Sequence, residues 1–324
     1  MAFVSSAICS APGLGLHGSS GLTCPEAGSK MKPMKMLALF AALLACGSVH
    51  AAKPAPSAQV APAVDLMTMT QDTQCHQVVV TCLVNGQPMR MMLDTGATHT
   101  VLHEESAARL KNAKWVDTSK MKFRGNSSQR PRLVLVSLQA GPAESSKHPV
   151  MVLNLGAVRS MMAEKIDGIL GMDILASVPF TFDMRSGDCY WGVPEGGVEL
   201  VPMNVVPDGT GRVLVLGKNG DKTARLLLDT GSSVTQVPVE QWAAGEGEEI
   251  KAQMGNVDVS GGISVVEGKA GDMELGPGVY VRGLQPIICG ESGFPMLGMD
   301  GLKGVVLVHV PTEDSPHGLF LVGQ

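Results

Sequence analysis

The chain has 324 residues, of which 44% are hydrophobic, 17% charged and only 4% aromatic. That balance fits a folded protein long enough for two domains or two lobes, and it excludes a disordered chain. A net charge of −5 leaves no basic excess for a general nucleic-acid binder, and seven cysteines without a C-x-x-C pair exclude a zinc ribbon or a thioredoxin-type site. With twenty methionines and few aromatics, the core is expected to be aliphatic, with Met as adaptable filler.

Residues 1–30 show no periodic pattern. Met31-Lys32-Pro33-Met34-Lys35 then sets basic charge before an apolar run from Met36 to Ala45, too short for the ~20 residues of a membrane-spanning helix. A basic segment before a short apolar one is the pattern of a secretory signal, and Val49-His50-Ala51 offers a cut after Ala51. Residues 1–51 therefore read as a leader, with translation starting at Met31 or Met34. In a second reading, Leu43-Leu44-Ala45-Cys46 resembles a bacterial lipobox, with Cys46 as a lipid anchor. Both readings export the protein. The Ala- and Pro-rich stretch 52–72 reads as a linker. The exported chain carries Cys75, Cys82, Cys189 and Cys289 into an oxidising compartment, and spacing does not choose among their pairings. Cys75 and Cys82 are read on one strand, pointing to opposite faces, which argues against their pairing with each other.

From there an internal repeat organises the chain. Val78 to Val84 is a β-branched run followed by Asn85-Gly86, a hairpin signal; Pro88 to Leu93 then leads into Asp94-Thr95-Gly96-Ala97-Thr98. The second half repeats this: Val213 to Leu216, Asn219-Gly220, Ala224 to Leu228, then Asp229-Thr230-Gly231-Ser232-Ser233. A later block also recurs, Ile169-Leu170-Gly171-Met172-Asp173 matching Met296-Leu297-Gly298-Met299-Asp300. Helices are expected over Glu104 to Lys111 and Val239 to Ala244. Short β runs broken by Gly and Pro fill the rest, which predicts mostly-β lobes at 73–195 and 208–324 with a linker at 196–207. A D-T-G arises by chance roughly once in 5,000 positions. One copy is an ordinary turn after a strand; two copies with matching flanks are not.

This arrangement over residues 75–324 resembles the pepsin-like and retropepsin-like aspartic proteases, most of all the bacterial retropepsin-like proteins, with two copies fused in one chain. The resemblance implies a bilobal acid-protease fold of two pseudo-symmetric, barrel-like β lobes. It implies an aspartic endopeptidase that acts on polypeptides, without cofactor or metal. Asp94 and Asp229 would be the catalytic pair, and Thr95 and Thr230 would bond between the loops. Gly96 and Gly231 would allow the tight turns, with Ala97, Thr98, Ser232 and Ser233 completing the active-site loops. Gly171 and Gly298 would be close-packing supports. Two nearby carboxyls share one proton because both cannot ionise. The chain would be a periplasmic or outer-membrane-anchored protein of a Gram-negative bacterium, monomeric unless lobes pair between chains. A non-catalytic peptide-binding or scaffold protein on the same fold is the alternative.

Ala97 stands where Ser232 stands in the other half. A hydroxyl donor at that position would acidify the carboxylate, so its absence beside Asp94 predicts activity at mildly acidic to neutral pH. Flap hairpins are expected at Lys120 to Arg132 and at Val257 to Val265. Residues 111–132 hold seven Lys or Arg against one Asp, read as a solvated face. Cys289 to Pro295 superficially resembles a serine-protease nucleophile segment but lacks a matching base, and reads as a turn into a strand from Phe294 to Leu297. His99 and His103 lie in a segment that reads as strand, so their spacing is not a helical metal pair. Asp173 and Asp300 read as starting or capping the short helices after the glycines.

Overall fold

The structure, a computed structural model, describes residues 64–111, 113–118, 132–207, 211–242, 266–289 and 294–324. Both expected flap cores, 119–131 and 257–265, and the leader lie outside these residues. The architecture is mostly β with a few short helices, as the resemblance implies.

The first half contributes β1 (Met69–Gln71), β2 (Val78–Val84), β3 (Gln87–Leu93), β4 (Val101–His103), β5 (Lys114–Val116), β6 (Arg132–Ala140), β7 (Ala143–Leu153) and β8 (Gly168–Leu170). They form one sheet in the order β1-β2-β3-β8-β4-β7-β6-β5, and a further pairing of β2 with β6 closes six of them into a barrel. Closure leaves little free edge. β8 sits centrally, parallel to β3 and antiparallel to β4, and all three of its residues are buried. That burial on both faces accounts for its unbroken apolar sequence.

β9 (Phe180–Asp183) and β10 (Asp188–Trp191) follow, then β11 (Val201–Pro202), β12 (Val205–Pro207), β13 (Val213–Asn219), β14 (Lys222–Leu228), β15 (Gln236–Pro238), β16 (Val266–Glu267), β17 (Gly271–Gly276), β18 (Val279–Leu284), β19 (Ile287–Cys289), β20 (Met296–Leu297), β21 (Val306–Val310) and β22 (Leu319–Gly323). Strands β12 to β20 make the second lobe, whose sheet repeats the first lobe's pairings as a half-barrel. β14 lies parallel to β20 as β3 lies parallel to β8. The segment 196–207, read as a linker, contributes both β11 and β12.

A third sheet, β10-β9-β21-β22-β11, takes strands from both halves. Its core is aromatic: Phe180 stacks on the buried His309 at 4.8 Å, and Phe320 packs 4.9 Å from the same ring. Five of the nine Phe, Trp and Tyr side chains among the described residues lie on this sheet, where the halves join.

The two repeat hairpins differ by one residue. Asn85 and Gly86 both have positive φ, 49° and 74°, and close the β2–β3 pair as its two central residues. That is the type I′ requirement. In the second hairpin Asn219 pairs with Lys222, so the turn is Gly220-Asp221 and not Asn219-Gly220. Only Gly220 has positive φ, which fits a type II′ turn. The expected helices are also shorter than read: Glu104–Ala108 in the first lobe, and a single 3-10 turn, Val239–Gln241, in the second.

Candidate active site

Each D-T-G loop begins where a hairpin arm ends. β3 delivers Asp94 and β14 delivers Asp229, and each aspartate's N–H donates to the last strand residue of the neighbouring apolar block, Asp94 to Leu170 O and Asp229 to Leu297 O, both at 3.0 Å. The loops then fold back on their own carboxylates. Asp94 Oδ1 accepts from the N–H groups of Gly96 (2.8 Å) and Ala97 (3.0 Å); Asp229 Oδ1 accepts from Gly231 N–H at 3.0 Å. N–H groups aimed at a carboxylate favour its charged form.

The two loops are tied together by their threonines. Thr95 N–H donates to Thr230 Oγ1 at 3.0 Å and Thr230 N–H to Thr95 Oγ1 at 3.2 Å. Each hydroxyl then donates across to the opposite lobe, Thr95 to Leu228 O at 2.8 Å and Thr230 to Leu93 O at 3.0 Å. A hydroxyl is needed at both positions, since each must donate and accept while buried. The result is a close approach of the Asp229 carboxyl to the first loop. A Cβ added to Gly96 would lie 2.6 Å from Asp229 Cγ. Gly96 therefore has Asp94's carboxyl on its N–H and Asp229's carboxyl against its Cα, and both carboxyls are fully buried. The position admits only glycine because of that close approach.

Behind the loops the apolar-apolar-Gly blocks pack as the repeat suggests. A Cβ on Gly171 would meet the His99 carbonyl carbon at 2.6 Å, and one on Gly298 would meet Val234 O at 2.4 Å. Met172 N–H donates to Ala97 O and Met299 N–H to Ser232 O, at 2.8 and 2.9 Å. Asp173 and Asp300 stand in the first turns of the short helices, as read, but do not cap them. The helix Met172–Leu175 and the 3-10 turn Met299–Leu302 are capped by Gly171 and Gly298 without side-chain hydrogen bonds. The carboxylates turn instead to two threonines that the motif reading missed. Thr100 Oγ1 donates to Asp173 Oδ1 at 2.7 Å and accepts from Gly171 N–H at 3.2 Å. Thr235 does the same with Asp300 at 2.6 Å and Gly298 N–H at 3.1 Å. Their signal was present, since Thr100 and Thr235 occupy equivalent places after the two D-T-G motifs.

The remaining loop residues differ between lobes. Ala97 is buried without a hydroxyl, and Ser232, its counterpart, donates to Val234 O at 2.9 Å. Thr98 Oγ1 lies 2.9 Å from His99 Nδ1, whereas Ser233 donates to Cys75 O at 3.2 Å in the opposite lobe. His148 Nε2 pairs with Asp173 at 2.9 Å in the first lobe. In the second lobe burial pushes the Asp300 carboxyl upward, against the lowering pull of Thr235 and Gly301.

Cys75 is not on β2 with Cys82 but in the turn before it. Cys75, Cys82 and Cys189 are free thiols, and burial pushes each up to about 12. His103 is a buried histidine on β4 whose Nδ1 accepts from Leu155 N–H at 2.9 Å. The strand expected from Phe294 is Met296–Leu297, and residues 290–293 of the segment before it lie outside the described residues. No helix among the described residues is long and apolar enough to cross a membrane.

Residues 80–174 match the family model described as aspartyl protease. That match, to a retropepsin-like aspartyl protease family, falls on the first lobe of a chain of barrel-like β lobes. A search of the curated proteins returned no match.

Proposed function

We propose that the protein is an aspartic endopeptidase, with Asp94 and Asp229 activating the water that cleaves a peptide bond. The observation that carries this reading is the juxtaposition of the two D-T-G loops, with both carboxyls held against Gly96 by the reciprocal threonine bonds. Two carboxyls so close share one proton. The ionised one takes a proton from water, whose oxygen attacks the scissile carbonyl carbon. The protonated one donates to the carbonyl oxygen, and collapse of the diol passes a proton to the leaving nitrogen. Gly96, Ala97 and Gly231 N–H groups hold the carboxylates in place throughout. Thr98, Ser232 and Ser233 shape the loop ends, and Gly171 and Gly298 back them.

The test is cleavage of a peptide library and of an unfolded protein from pH 3 to pH 8. The wild type should cleave, and Asp94→Asn and Asp229→Asn should each lower kcat by at least ~100-fold. Ser232 donates its one hydroxyl hydrogen to Val234 O, so its contrast with Ala97 sets no pH optimum, and the same series measures where the optimum lies.

The full burial of both carboxyls favours one alternative, a peptide-binding or scaffold role without turnover. In that case wild type and both Asn variants would bind peptides alike and cleave none. We further propose a monomer, and an exported protein that is periplasmic or anchored through Cys46; the two lobes take in β1 at one end and β12 at the join, so they begin earlier than residues 73 and 208. Intact mass of the purified chain distinguishes a cut after Ala51 from a lipidated Cys46.

A further inference from the structure

We propose that Gln77 is a positioning residue that latches the second D-T-G loop to the first lobe and so sets the placement of Asp229. The proposal rests on the protease reading for its catalytic consequence, but its geometry stands independently. Gln77 is the last residue before β2, it is 2% exposed, and its side chain crosses to the other lobe. Its Nε2 donates to Gly231 O at 3.2 Å and to Ser233 Oγ at 2.9 Å. Ser233 Oγ in turn donates to Cys75 O at 3.2 Å. The three hydrogens are thereby assigned in one consistent direction. A flipped amide would set Oε1 against the Gly231 carbonyl oxygen, so that carbonyl fixes the orientation.

Gly231 is the residue whose N–H holds the Asp229 carboxylate at 3.0 Å. The latch therefore grips the carbonyl end of the same residue whose amide end grips the aspartate. Gln77 is itself anchored from behind. The turn before it is closed by Asp72 N–H to Gln77 O at 2.8 Å, and Asp72 Oδ1 accepts from the N–H groups of Gln74 and Cys75 at 2.9 and 3.1 Å. Asp72 also accepts from Ala163 N–H at 3.0 Å, which ties the turn to its own lobe.

The test uses the full chain with Gln77→Leu and Gln77→Glu. In Gln77→Leu, amide hydrogen exchange over 229–235 should quicken at least ~10-fold, while kcat falls ~10-fold or more and KM changes by less than ~2-fold. In Gln77→Glu the side chain keeps its size but, when ionised, has no hydrogen to donate to Gly231. Acidification restores one donor. Its activity should therefore fall off at a lower pH than the wild type's on the alkaline side, a shift that simple loosening does not produce. Unchanged exchange in Gln77→Leu would refute the latch. Faster exchange with wild-type kcat and pH profile would refute its role in positioning Asp229. If the wild type cleaves nothing, the protease reading fails, and exchange alone decides the latch.

Discussion

At the scale of single residues, the site is a set of small side chains that cannot grow. The backbone of residues 97–99 runs against Gly171, and that of Val234 against Gly298, at distances no real Cβ tolerates. Gly171→Ala and Gly298→Ala should each cost about 1–3 kcal/mol by overpacking. Urea midpoints measure the loss, and an unmoved midpoint in either variant would show that the backbone yields without cost. The threonines are limited in chemistry instead of size. Thr95→Val keeps the shape but leaves Leu228 O and Thr230 N–H buried without their partner, a loss of about 1–3 kcal/mol per group. Thr98→Val, whose hydroxyl bonds only its neighbour His99, should lose far less under the same denaturation.

At the scale of elements, the two halves repeat a unit made of a hairpin, a D-T-G loop and a central strand that returns parallel to the hairpin arm. The Thr–Asp pairs behind the loops, Thr100–Asp173 and Thr235–Asp300, lock that strand's exit to the loop's end. They differ in charge balance: Asp173 has His148, while burial raises the Asp300 carboxyl above its ordinary 3.8. A raised folded value means that Asp300's contribution to stability is whole below pH ~4 and is lost as pH climbs through the folded value. Asp300→Asn retains an acceptor for Thr235 and removes that loss. Its Tm relative to wild type should therefore rise between pH 4 and pH 7, as thermal scans across that window would register. A constant difference over the window would show that Asp300 stays uncharged or that its burial is relieved. The opposite sign holds for Asp72. Burial raises its carboxyl, but Gln74, Cys75 and Ala163 together outweigh burial and leave it lowered, so its contribution is present at neutral pH and fades on acidification.

At the scale of the molecule, the third sheet makes one body of two lobes. Residues 64–324 fall in one compact unit, and β9 pairs with β21 across the halves from Asp183–Val306 to Phe180–His309. His309 Nδ1 and Nε2 reach Val178 O and His317 O at 2.8 and 3.0 Å, so one ring ties the segment before β9 to the connection between β21 and β22. Phe320→Ala opens a cavity in this joint and should cost about 3–5 kcal/mol. If the sheet couples the halves, urea unfolding of the wild type is a single transition, and Phe320→Ala either keeps it single at lower midpoint or splits it. A wild-type curve with two separate steps would show that the lobes unfold independently.

The sequence alone carried the repeat, the mostly-β lobes, the two D-T-G loops and the glycines packed behind them, because each depends on local patterns: alternation along a strand, a tight turn, a small residue at a fixed step. It misplaced the second hairpin's turn by one residue, since Asn219-Gly220 and Gly220-Asp221 are both good turns and only pairing of Asn219 with Lys222 chooses between them. It placed Asp173 and Asp300 at the helix starts but not their bonds to Thr100 and Thr235, because those partners lie far away in the chain. Gln77 was invisible for the same reason: nothing about a glutamine before a strand announces a bond to a loop 154 residues away. Which partner a buried polar group takes is a question of what the folded backbone brings within about 3 Å of it, and that is decided only when the two lobes meet.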